Sequence, residues 1–328
     1  MKILGISLGT KNGNNDTMCR VALEAAREKG AEIEFIHLFD WDIRPCTGCV
    51  ACSRSLVMGK GMVCTVKDDF HALYEKIIEA DGVLFVDPIY ESGASGLFHI
   101  ITDRMGPGHD TGMMLMADGK LKEQGKEGLN PRYFRQKALS FVGIGGSDWA
   151  VRVETDHRMF ALSPGWKVVN NEYFSWCKDV IMQDDKIARM QEIGRNLVDA
   201  AQDMIDKQMI IPGSEEYDPW QGKDGACPHC HGNAFYIFPG TDHVVCELCG
   251  LEGRLKLVDG AFRFENDPSI VPNGLPEHAH DILPGKMAHG QDIFENEGRL
   301  MDLFKDPEFQ ARKKHYTEVC EPTPSPSK

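Results

Sequence analysis

Two sets of cysteines carry the most specific chemistry in this chain. CPHC at 227–230 and CELC at 246–249 are paired knuckles separated by fifteen residues, each offering two thiolates to one tetrahedral site. The donor set favours zinc at Cys227, Cys230, Cys246 and Cys249, with a rubredoxin-type iron site as the alternative. Nearer the start, Cys46, Cys49 and Cys52 repeat a CxxC spacing and Cys64 follows after eleven residues. Four thiolates so arranged suit a [4Fe-4S] cluster, against the competing readings of free, partly buried thiols or of zinc. Cys19, Cys177 and Cys320 show no ligand spacing.

Three further stretches combine small and polar residues. SLGTKNGNNDT, residues 7–17, can surround a phosphate with hydroxyls, amides and backbone N–H groups where a helix begins. Neither GK[ST] nor GxGxxG occurs in it, which disfavours nucleoside-triphosphate and dinucleotide loops. DPIYESGASG, residues 87–96, has Pro88 to stiffen it, Tyr90 as an aromatic face and small residues that admit a flat ring. GIGGSDWA, residues 143–150, can pass the ring's other edge. His109 and Tyr133 are candidate proton donors, and Met113, Met114 and Met116 either roof the site or pack their own loop. Asp103 and Arg104 read as an ion pair at a helix end.

The elements that must position these residues follow from hydrophobic period. Strands are expected at 2–8, 32–39, 82–89, from 137 and at 166–174, alternating with helices at 16–29, 68–80, 96–104, 147–162 and 184–207. Five apolar strands alternating with helices define an α/β doubly wound parallel sheet, a domain over 1–210. Two intervals interrupt the rhythm: the cysteine loop 46–64 and a long insertion, 105–136, expected as a loop or lid. A linker at 211–225 leads to a small β zinc ribbon at 226–268, and 269–328 reads as an extended tail with one helix near 292–315 and a disordered PTPSPSK end.

Composition removes several function classes. The 328 residues are 42% hydrophobic and 26% charged, and no apolar run is long enough to span a membrane. MKILGISLG lacks the features of a signal peptide, so a cytoplasmic, reducing location is expected for the 11 cysteines. A net charge of -14 disfavours nucleic acid and anionic membrane. Residues 226–268 hold six acidic against three basic residues, which points the ribbon towards protein rather than nucleic acid.

SLGTKNGNNDT, IRPCTGCVACSRSLVMGKGMVC, DDF, EADGVLFVDPIYESGASG, ITDR and GIGGSD, in this order over roughly residues 1–205, resemble the NADPH-dependent FMN reductase and iron-sulfur flavoprotein family of the flavodoxin-like superfamily. The resemblance implies FMN, its phosphate held by Ser7, Thr10, Asn14, Asn15 and Thr17 and its ring by Pro88, Ile89, Tyr90, Ser92, Gly93, Gly145 and Gly146. The phosphate loop lacks the family's usual Pro-Arg and is a residue longer, so Asn15 and Thr17 compete for one role. Tyr90 and His109 are the candidate catalytic residues. The implied activity is electron transfer from NAD(P)H through FMN to a small organic acceptor such as a quinone, enone or nitro compound. The alternative is an electron carrier between ferredoxin and a partner. A homodimer or homotetramer is implied by the resemblance alone.

Overall fold

The computed structural model describes residues 1–214, 216–265, 267, 269, 280–320 and 323. Its elements run β1 (Lys2–Ser7), α1 (Asn14–Glu28), β2 (Glu32–His37), α2 (Ala51–Val57), α3 (Phe70–Glu79), β3 (Gly82–Pro88), α4 (Gly96–Met105), α5 (Thr111–Glu123), β4 (Ala138–Ile144), α6 (Val153–Leu162), β5 (Lys167–Phe174) and α7 (Asp184–Asp206). Then come β6 (Phe235–Ile237), β7 (His243–Cys246), β8 (Glu252–Val258), β9 (Ala261–Glu265), α8 (Leu283–Leu303) and α9 (Pro307–Thr317).

Strands β1 to β5 form one parallel sheet in the order β2-β1-β3-β4-β5, the flavodoxin-like arrangement. Every residue of β3 and β4 is buried, because helices cover both faces. The two-residue pleat sorts the side chains. Leu4, Ile6, Phe85 and Phe141 join Phe70 and Ile77 of α3, Phe98 of α4 and Phe160 of α6 in one core. Ile3, Leu84, Val86 and Val142 face Met18 and Leu23 of α1 and Ile193 and Leu197 of α7 in the other. Helices α1 and α7 approach closely at Gly194, where a Cβ would lie 2.2 Å from the carbonyl oxygen of Ala22.

The remaining strands form an antiparallel sheet, β6-β7-β8-β9, whose small core is made of Cys227, Cys230, Cys246, Cys249, Leu248 and Leu251 with Phe235 and Phe264 against it. Among the described residues no helix is long and apolar enough to cross a membrane.

Three elements differ from expectation. Residues 105–136 are not one loop but carry α5, capped by Asp110 Oδ1, which accepts the N–H of Met113 at 3.0 Å. Its Met114, Ala117 and Leu121 pack on Leu56 of α2, so Met114 is core rather than roof, and Met116 lies against Gly290 of α8. Helix α6 starts at Val153 rather than near Ser147, since the N–H of Arg152 goes to Ser92 O at 3.0 Å. The tail helix is two helices, split where Asp306 caps α9 by accepting the N–H groups of Glu308 and Phe309. The expectation for the PTPSPSK end lies, apart from Thr323, outside the described residues.

Candidate functional site

The carboxyl ends of β1, β3 and β4 all open at one edge of the parallel sheet, which brings the loops 7–17, 87–96 and 143–150 together. In the first loop Ser7 is buried at the end of β1, while Thr10, Lys11 and Asn12 are exposed. Helix α1 begins without a side-chain cap, leaving its first-turn N–H groups to an external acceptor. Asn15 is buried with Nδ2 lacking a partner among the described residues, a second donor suited to a phosphate oxygen. Thr17 Oγ1 donates to Gly13 O at 3.0 Å. Asn14 braces the loop instead, its amide donating to the carbonyls of Cys177 at 2.6 Å and Lys178 at 3.2 Å.

Beneath this loop lies a carboxylate that the sequence did not single out. Asp16 is fully buried, accepts the N–H of Asn12 at 2.7 Å and sits 3.0 Å from His37 Nδ1. Burial raises its pKa, and the nearby Ser7 hydroxyl, the N–H of Asn12 and the His37 ring together outweigh that effect, so it stays below the ordinary carboxylate range.

The second loop is a tight hairpin. Tyr90 and Gly93 exchange N–H···O bonds of 3.1 and 3.0 Å around Glu91 and Ser92, which have φ of 47° and 65°. Pro88 ends β3, the N–H of Ile89 donates to Ile144 O at 3.0 Å, and Tyr90 stands 60% exposed at the tip. Two carboxylates hold the return strand: Asp87 accepts from Ser95 N at 2.8 Å, and Asp156 from Ala94 N at 3.0 Å. Asp87 is also 3.3 Å from His157 Nε2, both fully buried. In the third loop the N–H of Gly145 donates to Phe174 O, and its carbonyl accepts from Cys177 N at 3.0 Å. Cys177 therefore links Gly145 to Asn14 through its backbone, a role its side chain does not signal. A Cβ on Gly145 would come 3.0 Å from Ser147 O, whereas one on Gly146 would meet Lys178 Cε at 3.8 Å, an ordinary contact.

His109 lies elsewhere in the same domain. It is 1% exposed, its Nδ1 is 2.7 Å from the Tyr74 hydroxyl, and Tyr133 and Trp166 pack around its ring. Burial, reinforced by the charge of Lys137, pushes its pKa down to about 3.

Cys46, Cys49, Cys52 and Cys64 line one cavity together with Arg104. Arg104 Nη2 donates to Cys64 Sγ at 3.3 Å, and its buried Nε has no partner among the described residues. Hydrogen bonds from Thr65, Ala51 and Thr47 bring the Cys49 thiol down to about 7, whereas burial raises Cys52. Four sulfurs and a fixed N–H donor around one space are a donor set that fits an iron-sulfur cluster.

The ribbon thiols are closer. All four Sγ atoms lie within 4.8 Å of one another, with Cys227–Cys249 at 3.8 Å and Cys230–Cys246 at 3.5 Å. A tetrahedral site with metal–sulfur bonds of about 2.3 Å has edges of about 3.8 Å, so these residues fit one metal ion. His229 and His231 pair with Asp281 and Asp218 at 3.0 and 3.3 Å, outside the four-sulfur set.

This fold and these loops define a flavin-dependent reductase. The chain belongs to the NADPH-dependent FMN reductase family, whose model matches residues 1–180, and is an FMN-dependent oxidoreductase. It is similar over nearly its whole length to a flavone reductase of known structure, with 39% identity, 99% of this chain and 100% of that one covered, and a TM-score of 0.82. A flavone synthase from Aspergillus candidus is 29% identical over 88% of this chain and 91% of its own. An iron-sulfur flavoprotein from Methanocaldococcus jannaschii is 38% identical over 33% of this chain and 53% of its own.

Proposed function

We propose that this protein takes electrons from NAD(P)H and delivers them, at FMN, to a small organic acceptor whose C=C bond is conjugated to a carbonyl, a flavone-like enone. The observation that carries this reading is the likeness to a flavone reductase across the ribbon as well as the FMN domain, at 99% of the chain. Quinones and nitro compounds are the other acceptors that reduced FMN could serve.

Bound at the sheet edge, FMN supplies reversible hydride transfer at a flat ring. Ser7, Thr10, Asn15, Thr17 and the first turn of α1 hold its phosphate, and Asn14 fixes the loop through Cys177 and Lys178. Pro88, Ile89, Ser92, Gly93, Gly145 and Gly146 wall the ring, and the exposed Tyr90 is the residue placed to touch ring or acceptor. His109, the other candidate catalytic residue, is enclosed with Tyr74, Tyr133 and Trp166, and that burial makes it a packing residue rather than a proton donor to the acceptor. Cys227, Cys230, Cys246 and Cys249 hold zinc.

The test is anaerobic. NADPH or NADH bleaches the flavin of the purified protein stoichiometrically, and adding flavone restores its colour. Bleaching only by reduced ferredoxin overturns the reading. It would favour a carrier in which a [4Fe-4S] cluster at Cys46, Cys49, Cys52 and Cys64 relays electrons to a partner. That second reading is supported by the shared cavity of those cysteines and Arg104. Iron and sulfide analysis of anaerobically purified protein separates the two, and light scattering tests the expected homodimer or homotetramer in a cytoplasmic, soluble setting.

A further inference from the structure

The ribbon and the linker that enters it are held on the FMN domain by charge and hydrogen bonding. Lys223 Nζ lies 2.9 and 3.0 Å from the two carboxylate oxygens of Glu154 in α6, and Asn233 donates its amide to the same carboxylate. The Arg158 guanidinium donates to the carbonyl of Cys230 at 2.7 Å, next to the metal-site thiols. Between the docked surfaces lies a cavity of about 500 Å³. Arg152 and Asp156 of the FMN domain form one wall with Tyr173 of β5, and Asn233 and Phe235 of the ribbon form the other.

That cavity adjoins the hairpin loop 87–96. The backbone N–H of Arg152 donates to Ser92 O at 3.0 Å, and the Asp156 carboxylate accepts from Ala94 N at 3.0 Å. Its volume is that of a small-molecule site, for which roughly 300–1,000 Å³ is usual. The lining narrows the occupant. Tyr173 and Phe235 supply aromatic surface from the two domains. Both cations are already engaged, Lys223 by Glu154 and Arg152 by Asp156 at 3.3 Å. With the exposed Glu247 the wall carries, among the described residues, three carboxylates against these two cations, and neither cation is left free for a phosphate or carboxylate. Glu154 and Asp156 are occupied by those same contacts, so the acceptor left facing the cavity is the exposed Glu247 carboxylate, which suits a hydroxyl group.

We infer that this cavity binds a neutral, planar, hydroxylated aromatic molecule, that the metal-held ribbon builds half of the site, and that the anionic dinucleotide donor is excluded from it. The inference rests on the proposed function for the ligand's access to the flavin, and adds the ribbon as the specificity element. A ribbon serving only to stabilise the fold would leave ligand affinity indifferent to its side chains.

The experiment is calorimetric titration of 5,7-dihydroxyflavone into the oxidised holoprotein, with FMN and metal contents measured on each sample. Wild type binds, and the same compound carrying a 7-phosphate binds about tenfold more weakly. Phe235→Ala weakens binding of the neutral compound about tenfold with metal and FMN retained. Because Phe235 also packs on Phe264 in the ribbon core, Glu247→Lys serves as a second variant on an exposed position. It reverses the preference towards the phosphorylated compound. Failure of wild type to bind, or unchanged affinities in both variants, overturns the inference. Binding that follows these expectations while NADPH-reduced flavin is not reoxidised by the bound compound sinks the proposed acceptor class and leaves the site standing.

Discussion

Arg104 Nη2 stands 3.3 Å from Cys64 Sγ, joining the cysteine loop to α4 through a residue that neighbouring sequence pairs with Asp103. Its actual partner is Asp68, at 2.7 and 3.1 Å, and it also donates to Arg44 O at 2.7 Å while its guanidinium lies 4.2 Å over the Phe70 ring. Both charged side chains are 1% exposed. A single cation therefore fixes the loop's entry at Arg44, its exit at Asp68 and the sulfur of Cys64.

Replacing Arg104 strands a buried carboxylate. Arg104→Met is expected to cost about 3–5 kcal/mol of stability in urea unfolding, because Asp68 loses its counter-charge, and Asp68→Asn in that background restores part of the loss. Equal midpoints for wild type and Arg104→Met would show that the pair is energetically idle.

His109 makes stability depend on pH. Its ordinary value is 6.5 and its folded value about 3, so between those limits the unfolded chain binds a proton that the native chain refuses. Stability contributed by the neutral ring is complete above pH 6.5 and declines as pH falls towards 3, by up to about 1.4 kcal/mol per pH unit. His109→Gln keeps an acceptor for the Tyr74 hydroxyl and removes the titration. Urea midpoints at pH 7 and pH 5 should converge in the variant; an unchanged difference would put the acid sensitivity elsewhere.

What could be read from sequence follows from locality. The runs in β3 and β4 are apolar at every position because both faces are covered, and the ribbon knuckles declare themselves by spacing. Helix α5 was hidden because Gly112, Gly119 and its methionines blur the apolar stripe, whose partner Leu56 belongs to the cysteine segment. Arg104 and Asp68 are 36 positions apart, and Asn233 and Glu154 are 79 apart, so no local pattern announces either. The residues of the tight turn at 90–93 were legible from composition as turn formers. The carboxylates that set their geometry, Asp87 and Asp156, gain meaning only from the backbone N–H groups they meet.

Metal removal separates the two domains' stabilities. Structural four-thiolate sites contribute about 10–16 kcal/mol of apparent binding energy, far more than so small a sheet can otherwise supply, so Cys230→Ser should release the ribbon metal and unfold β6 to β9. The FMN domain, with its own two cores, should keep its flavin spectrum and parallel-sheet circular dichroism. Metal content near one per chain in wild type and near zero in the variant is the expected result; loss of flavin with the metal would show that the domains fold as one unit.

The loop 87–96 can be tested by two opposite changes three atoms apart along the backbone. A Cβ on Gly93 would lie 2.3 Å from Asp156 Oδ2, the atom that accepts the N–H of Ala94. Gly93→Ala must push that carboxylate away and release the return strand, so FMN affinity of the apoprotein should fall about tenfold, roughly 1.4 kcal/mol, in a flavin-fluorescence titration. Ser92 already occupies the left-handed region at φ 65°, a conformation that favours glycine. Ser92→Gly should therefore retain FMN and stabilise the hairpin, or at worst change it by less than about 1 kcal/mol as eased strain offsets the freer unfolded chain. If Gly93→Ala binds FMN as tightly as wild type, this hairpin does not wall the ring, and the ring's position must be sought along the 143–150 loop instead.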